Sequence, residues 1–210
     1  MGLGTIYPKI NLSKRHFKEA IVPSRLRNKF IFLPNQAWSI DITYIKRPHG
    51  HMYLTAIIDW HSRYIVGWNL SDTLDTMYVV DAVKTAVSAH GTPGILNSNQ
   101  GSQFTSSDYK QLLKDYHIVQ SMDGKSRWAD NIMIERWFRS LKVEEIYPNE
   151  YANPRELRRA IARYINEYNT LRPHEALDNR TPASVYYSGT HVKTKIDKIL
   201  NESSGSLCRI

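Results

Sequence analysis

The stretch WSIDITYI (residues 38–45) decides the fold, because its alternation sets Ser39, Asp41 and Thr43 on one face of a strand and Ile40, Ile42 and Tyr44 on the other. A carboxylate in mid-strand must be hydrogen-bonded or must bind something. Two more strand-like runs follow, MYLTAIIDW (52–60) and SRYIVGWNL (62–70), joined by the turn-prone RPHGH and a tight HS. Three consecutive strands with short links imply an antiparallel meander. The two imidazoles of HGH (49–51) fall in the first turn with no other ligand nearby, which reads as a solvated turn more than as a zinc site.

Downstream, LDTMYVVDAVKTAVSAHG (74–91) spaces Met77, Val80, Val83 and Val87 at three and four residues and stops at Gly91, the pattern of an amphipathic helix with a glycine end. A short buried strand, GILNS (94–98), comes next. It is followed by a polar loop, a helix from about Ser107 to Tyr116, a strand HIVQSM (117–122) and a helix carrying NIMIERWFRSLKVEE (131–145). The order is βββαβαβα, and the last two strands, reached through helices, should run parallel to the first. NPRELRRAIARYINEYNTLRP (153–173) then opens with an Asn cap and a first-turn proline, gathers Leu157, Ile161, Tyr164, Ile165 and Tyr168 on one face, and closes before Pro173.

With 210 residues, 41% of them apolar, the chain can bury one good core. Residues 1–36 read as a basic arm, in which Lys9, Lys14, Arg15, Lys18, Arg25, Arg27 and Lys29 face only Glu19. Residues 37–187 read as the core, and residues 188–210, with NESSGS among them, as a loose polar tail. A net charge of +8 and a pI near 9.5 fit a partner made of phosphates better than a small-metabolite enzyme. The one cysteine, Cys208, forms no internal disulfide and suits a reducing cytosol. No run approaches the length of a membrane span, and the N-terminus does not read as a signal peptide.

Glu135 begins the helix of residues 131–145, and Ile134, Trp137, Phe138 and Leu141 form its apolar stripe. Glu135, Arg139 and Lys142 form a separate polar line that would set one carboxylate at a groove followed by two cations. Asn99, in ILNSNQGSQFTS (95–106), ends the fourth strand, where open sheets with parallel strands place ligands.

This order, with Asp41 in the first strand, an acid-type position after the fourth and Glu135 in the following helix, resembles the ribonuclease H-like core of DDE transposases and integrases. The wording NQAWSIDITYI, AIIDWHSRYIVGW, NSNQGSQFTS, DGKSRWADNIMIERWFRSLKVEE and YNTLRPHEALDNRTPASVY is similar to the second-frame transposase of IS3-type insertion sequences, over about residues 3–187. The resemblance implies an α/β fold built on a mixed five-stranded sheet flanked by helices. It also implies a triad of Asp, Asp and Glu with 35 residues between the last two, and 35 residues separate position 99 from Glu135. Asn99 therefore occupies the second-acid position.

The implied reaction is in-line attack of water or a 3′-hydroxyl on a phosphodiester, helped by two Mg²⁺ or Mn²⁺ ions held by hard oxygen ligands. Carried over, Asp41 bridges the ions while position 99 and Glu135 each complete one. Asparagine keeps a carbonyl oxygen but removes a full charge, so weakened ion binding and strongly reduced or absent strand transfer are expected, with fold and DNA binding retained. Lys125 and Arg127, in the loop before the Glu135 helix, are expected phosphate contacts along with Arg139 and Lys142; Gln100 and Gln103 flank the site and could reach the DNA backbone. Asp59, Asp108 and Asp123 are not matched to the missing position.

Partners implied by the resemblance are DNA, both insertion-sequence ends and target, and further copies of the chain, in a bacterial-type cytoplasm at the nucleoid. The competing reading is a non-catalytic DNA-binding remnant of a transposase. Helix-turn-helix elements expected upstream are not visible before Met1, so the sequence reads as a fragment or an internal start.

Overall fold

The computed structural model describes residues 22–26, 29–47, 50–123, 131–192 and 194. Strands β1 (Ala37–Arg47), β2 (Gly50–Asp59) and β3 (Ile65–Ser71) form the expected antiparallel meander. Helix α1 (Thr76–His90) leads to β4 (Ile95–Ser98), and β5 (Val119–Met122) follows helices α2 (Ser102–Thr105) and α3 (Ser107–Asp115). The five strands lie in the order β3-β2-β1-β4-β5, with β4 parallel to β1 and β5 parallel to β4. Helices α4 (Ile132–Leu141) and α5 (Pro154–Thr170) complete the core. This is the mixed five-stranded, helix-flanked sheet of the ribonuclease H-like class.

Alternation along the strands divides the apolar side chains between two layers. Trp38, Ile40, Ile57 and Leu96 pack with α1 and α3, whereas Ile45, Leu54, Ala56, Ile58 and Leu70 pack with α4 and α5. The apolar stripes of α4 and α5 are buried at every position read from the sequence. Asn153 caps α5 by accepting from Glu156 N–H at 3.0 Å, and Glu156 reaches back to Ala152 N–H at 2.7 Å.

Helix α1 is rotated from its expected setting. Met77 is 58% exposed, and the buried face is Val79, Ala82, Val83, Ala86 and Val87. The reason is a close crossing: a Cβ placed on Gly67 of β3 would lie 2.7 Å from Ala86 Cβ and 3.2 Å from Ala82 O. Small residues on both sides let the helix approach the sheet. Gly67→Ala is therefore expected to destabilise the fold by about 1–3 kcal/mol through overpacking; a chemical-denaturation midpoint equal to that of the unsubstituted protein would contradict the tight crossing.

Three boundaries differ from the sequence reading. The third strand begins at Ile65, because residues 60–64 turn around Asp59, whose carboxylate accepts from Ser62 N–H, Ser62 Oγ–H and Asn35 N–H at 2.7–2.9 Å. Part of the basic arm belongs to the core: Leu26 is buried with Ala37 and Ile95, and Arg25 N–H donates to Ser121 Oγ at 2.9 Å. Asn35, with φ of 62°, donates Nδ2–H to His90 O, and its Oδ1 accepts from Trp38 Nε1–H and Tyr186 O–H. Residues 182–192 are helical, so the tail expected from residue 188 begins inside a helix. Tyr186 of that helix stacks on Tyr64 at 4.8 Å between ring centroids.

Candidate active site

β1 and β4 pair in parallel register with Ser39 opposite Asn97, so the chain leaving β4 at Ser98 delivers Asn99 beside Asp41. Asn99 Nδ2–H donates to Asp41 Oδ1 at 2.8 Å, and Asn99 Oδ1 accepts from Gly101 N–H at 2.8 Å. Both polar atoms of the amide are thus engaged inside the protein. Asp41 Oδ1 also accepts from Ile42 N–H at 2.8 Å. Burial pushes the Asp41 carboxyl up to about 6; the Ile42 hydrogen bond opposes this, and the charges of Glu135 and Asp123 add to it.

Glu135 reaches the same place from the other side of a hollow. It sits in the first turn of α4, whose buried stripe fixes the helix on the sheet and leaves Glu135 and Arg139 exposed and Lys142 half-buried. A cavity of about 310 Å³ lies between, walled by Asp41 and Thr43 of β1 and by Glu135, Arg139 and Lys142 of α4 and the turn that continues it. Phe138, Val143 and Tyr147 close it. Burial lowers the Lys142 pKa. Larger hollows of about 620 and 730 Å³ lie elsewhere, and neither touches Asp41, Asn99 or Glu135.

The other sequence candidates fall into distinct places. Gln100 Nε2–H donates to Asp123 O at 2.7 Å and Gln103 Nε2–H to Leu74 O at 3.1 Å, so both amides brace loops. Lys125 and Arg127 lie outside the described residues, as do Trp128 and His49. Asp59 is wholly buried opposite Trp38, where β1 begins, and holds the β2–β3 turn. Asp108 is exposed on α3. Asp123, which the sequence does not match to the second-acid position, follows β5 and accepts from Asn97 Nδ2–H at 2.7 Å, within electrostatic reach of Asp41. Its signal was topological: β5 pairs with β4 in parallel, so their ends arrive together.

Arg172 and His174, which follow α5, are engaged within the fold. Arg172 pairs with Glu144 and stacks over Tyr164, 5.6 Å from the ring centroid, and His174 meets Tyr168 edge to face.

The donor set tests what could be held here. Among the described residues no three His, Cys, Asp or Glu side chains gather closely enough to hold a metal ion. Asn99 presents a nitrogen to Asp41 and turns its oxygen to Gly101. As they stand, Asp41, Asn99 and Glu135 offer two carboxylates and one amide whose oxygen accepts from Gly101 N–H.

Over 152 residues the chain is 34% identical to "Transposase InsF for insertion sequence IS3A" of Escherichia coli (strain K12), covering 71% of the chain and 53% of that protein. It is 38% identical over 152 residues to "Transposase for insertion sequence element IS904" of Lactococcus lactis subsp. lactis (strain IL1403), covering 71% of the chain and 60% of that protein. A family model described as integrase core domain matches residues 33–127, and a second of the same description matches residues 116–182. The chain belongs to the integrase core family and is of the IS3 type.

This integrase core spans between half and two thirds of the length of those relatives. Its fold is shared with the HTLV-2 integrase catalytic core domain in complex with magnesium (dimeric form), at a TM-score of 0.60, 21% identity, and coverage of 73% of this chain and 97% of that one. The catalytic core domain of BIV integrase aligns at a TM-score of 0.63 and 18% identity, covering 76% of this chain and 99% of that one.

Proposed function

We propose that this integrase core serves DNA transposition, binding DNA across the cavity between β1 and α4, and that its strand-transfer chemistry is impaired at position 99. Asp41, Asn99 and Glu135 occupy the catalytic and metal-binding positions, on residues 37–187 as the catalytic unit. In an intact site, two Mg²⁺ or Mn²⁺ ions would activate the attacking oxygen and stabilise the leaving one. The observation that carries the reading is the Asn99–Asp41 hydrogen bond: an amide nitrogen holds the oxygen that a cation would otherwise claim. The presence of Asp41, Glu135, Arg139 and Lys142 around one cavity supports DNA as the ligand, because the cations suit phosphate and the acids suit the metal that phosphate chemistry uses. The magnesium named for the HTLV-2 relative supports the metal class, and its dimeric form supports action as a homo-oligomer on DNA. A cytoplasmic, nucleoid-associated location belongs to the same proposal; among the described residues no helix is long and apolar enough to cross a membrane.

The second reading is a DNA-binding remnant without chemistry, and the engaged amide of Asn99 favours it for the chain as written. Both readings require DNA binding through the cations. Titration of labelled duplex at several salt concentrations is expected to give a negative slope of log K against log salt. Arg139→Ala and Lys142→Ala should each make that slope shallower by roughly 1. An unchanged slope in both variants would remove α4 from the DNA interface.

A further inference from the structure

The cavity beside Asp41 and Glu135 has one wall that phosphate chemistry does not explain. Carboxylates and cations suit a phosphodiester, yet Val143 is 56% exposed and Tyr147 is 70% exposed on its rim, with Phe138 behind them. Large apolar groups left in water beside a polar site indicate a ligand with an apolar face.

Tyr147 arrives there through an irregularity in the helix. Twelve residues beyond Glu135, it would point about 120° away if the α-helix simply continued. Instead Lys142–Ile146 forms a π-turn, closed by Tyr147 N–H donating to Lys142 O at 2.8 Å. The wider i→i+5 turn takes back much of one residue's rotation, so Tyr147 returns to the side that carries Glu135, Arg139 and Lys142. The turn is held in place: Glu144 pairs with Arg172 and accepts from Tyr164 O–H at 3.0 Å, while Glu145 accepts from Arg163 at 3.0 Å and from Tyr151 O–H at 3.1 Å.

We propose that this cavity receives an unstacked nucleobase next to the bound phosphodiester, with Tyr147 as its stacking platform, Val143 and Phe138 as its apolar wall, and Arg139 and Lys142 holding the adjoining phosphate. This rests on the reading of the protein as a DNA-binding integrase core. A base offers an apolar π-face and polar edges, which match the ring of Tyr147 on one side and Thr43 on the other. Stacking on an aromatic ring tolerates any base, so the site takes a nucleotide by its shape and position more than by its sequence.

The test compares two synthetic duplexes that are identical except at one unpaired terminal nucleotide, which carries a base in one and is abasic in the other. The full chain is titrated with each, and so are Tyr147→Ala and Tyr147→Phe, with thermal melts to confirm folding. The unsubstituted protein is expected to prefer the base-bearing duplex by roughly 5- to 100-fold. Tyr147→Phe should keep the preference and Tyr147→Ala should lose most of it while still binding duplex. Equal affinity for both duplexes, or a preference that survives Tyr147→Ala unchanged, overturns the base pocket and leaves DNA binding standing. Failure to bind either duplex overturns the DNA reading itself, and the pocket with it.

Discussion

Asn99→Asp is expected to raise DNA cleavage and joining by about two orders of magnitude or more in Mg²⁺ or Mn²⁺, while lowering stability when no divalent ion is present. The two effects share one cause. In the native site the amide donates to Asp41 Oδ1 at 2.8 Å, so Asp41 is satisfied without a cation. A carboxylate at position 99 has no proton to give and sets a second negative charge against the first. Unit charges ~4 Å apart interact by about 4 kcal/mol at an effective dielectric of ~20, which bounds the repulsion in metal-free buffer and the gain when an ion enters. Each 1.4 kcal/mol of extra ion or transition-state stabilisation is worth about tenfold.

The measurements are a strand-transfer assay on labelled linear DNA and a thermal melt in chelator and in Mg²⁺. The melting temperature of Asn99→Asp should fall below that of the unsubstituted protein in chelator and recover with Mg²⁺, whereas the unsubstituted protein should respond little to the ion. Equal activity of the two proteins, together with equal melting responses, would sink the assignment of position 99. If Asn99→Asp gains the metal response without joining DNA, position 99 is a metal position and joining requires more than this chain.

Asp59→Ala is expected to destabilise the fold by about 3–5 kcal/mol, with no change in how the surviving folded protein binds DNA. The carboxylate is fully buried, and its two oxygens accept from Asn35 N–H, Ser62 N–H and Ser62 Oγ–H. Removal strands these donors, and each unsatisfied buried donor costs about 1–3 kcal/mol. For a chain of this size that lowers the melting temperature by about 10 °C. Asp59→Asn keeps the shape but turns an N–H toward donors, so it should also destabilise, by less. A melting temperature unchanged in Asp59→Ala would show that the turn holds without its acid.

Much of this was legible because strand alternation and helix periodicity are properties of neighbouring residues. The meander, the parallel arrival of β4 and β5 and the buried stripe of α4 follow from pattern alone. Helix α1 was misread for a physical reason: large apolar residues, Met77 and Val80, drew the stripe, whereas the interface with Gly67 selects small ones, Ala82 and Ala86. Size at a close crossing decided what hydrophobicity did not. The resemblance singles out Asn99 through the 35 residues before Glu135, yet its hydrogen bond joins residues 58 apart in sequence, and no local pattern shows which atom faces which. Asn35 was hidden likewise, since its partners come from β1, the end of α1, Asp59 and the helix at 182–192. Tyr147 escaped because counting at 3.6 residues per turn sets it off the functional face, and the π-turn that restores it has no marker in composition.

The contact between Tyr186 and Asn35 also bears on the order in which the protein can be completed. It joins residues 151 apart, so it closes a loop containing the whole sheet. Closure over such a distance is slow and is rewarded only after the intervening chain is in place. Asp41, Asn99 and Glu135 lie inside that loop and are made long before residue 186 leaves the ribosome. The last helix thus acts as a late latch: a nascent chain stopped short of it holds Asp41, Asn99 and Glu135 and lacks the tyrosine that binds Asn35.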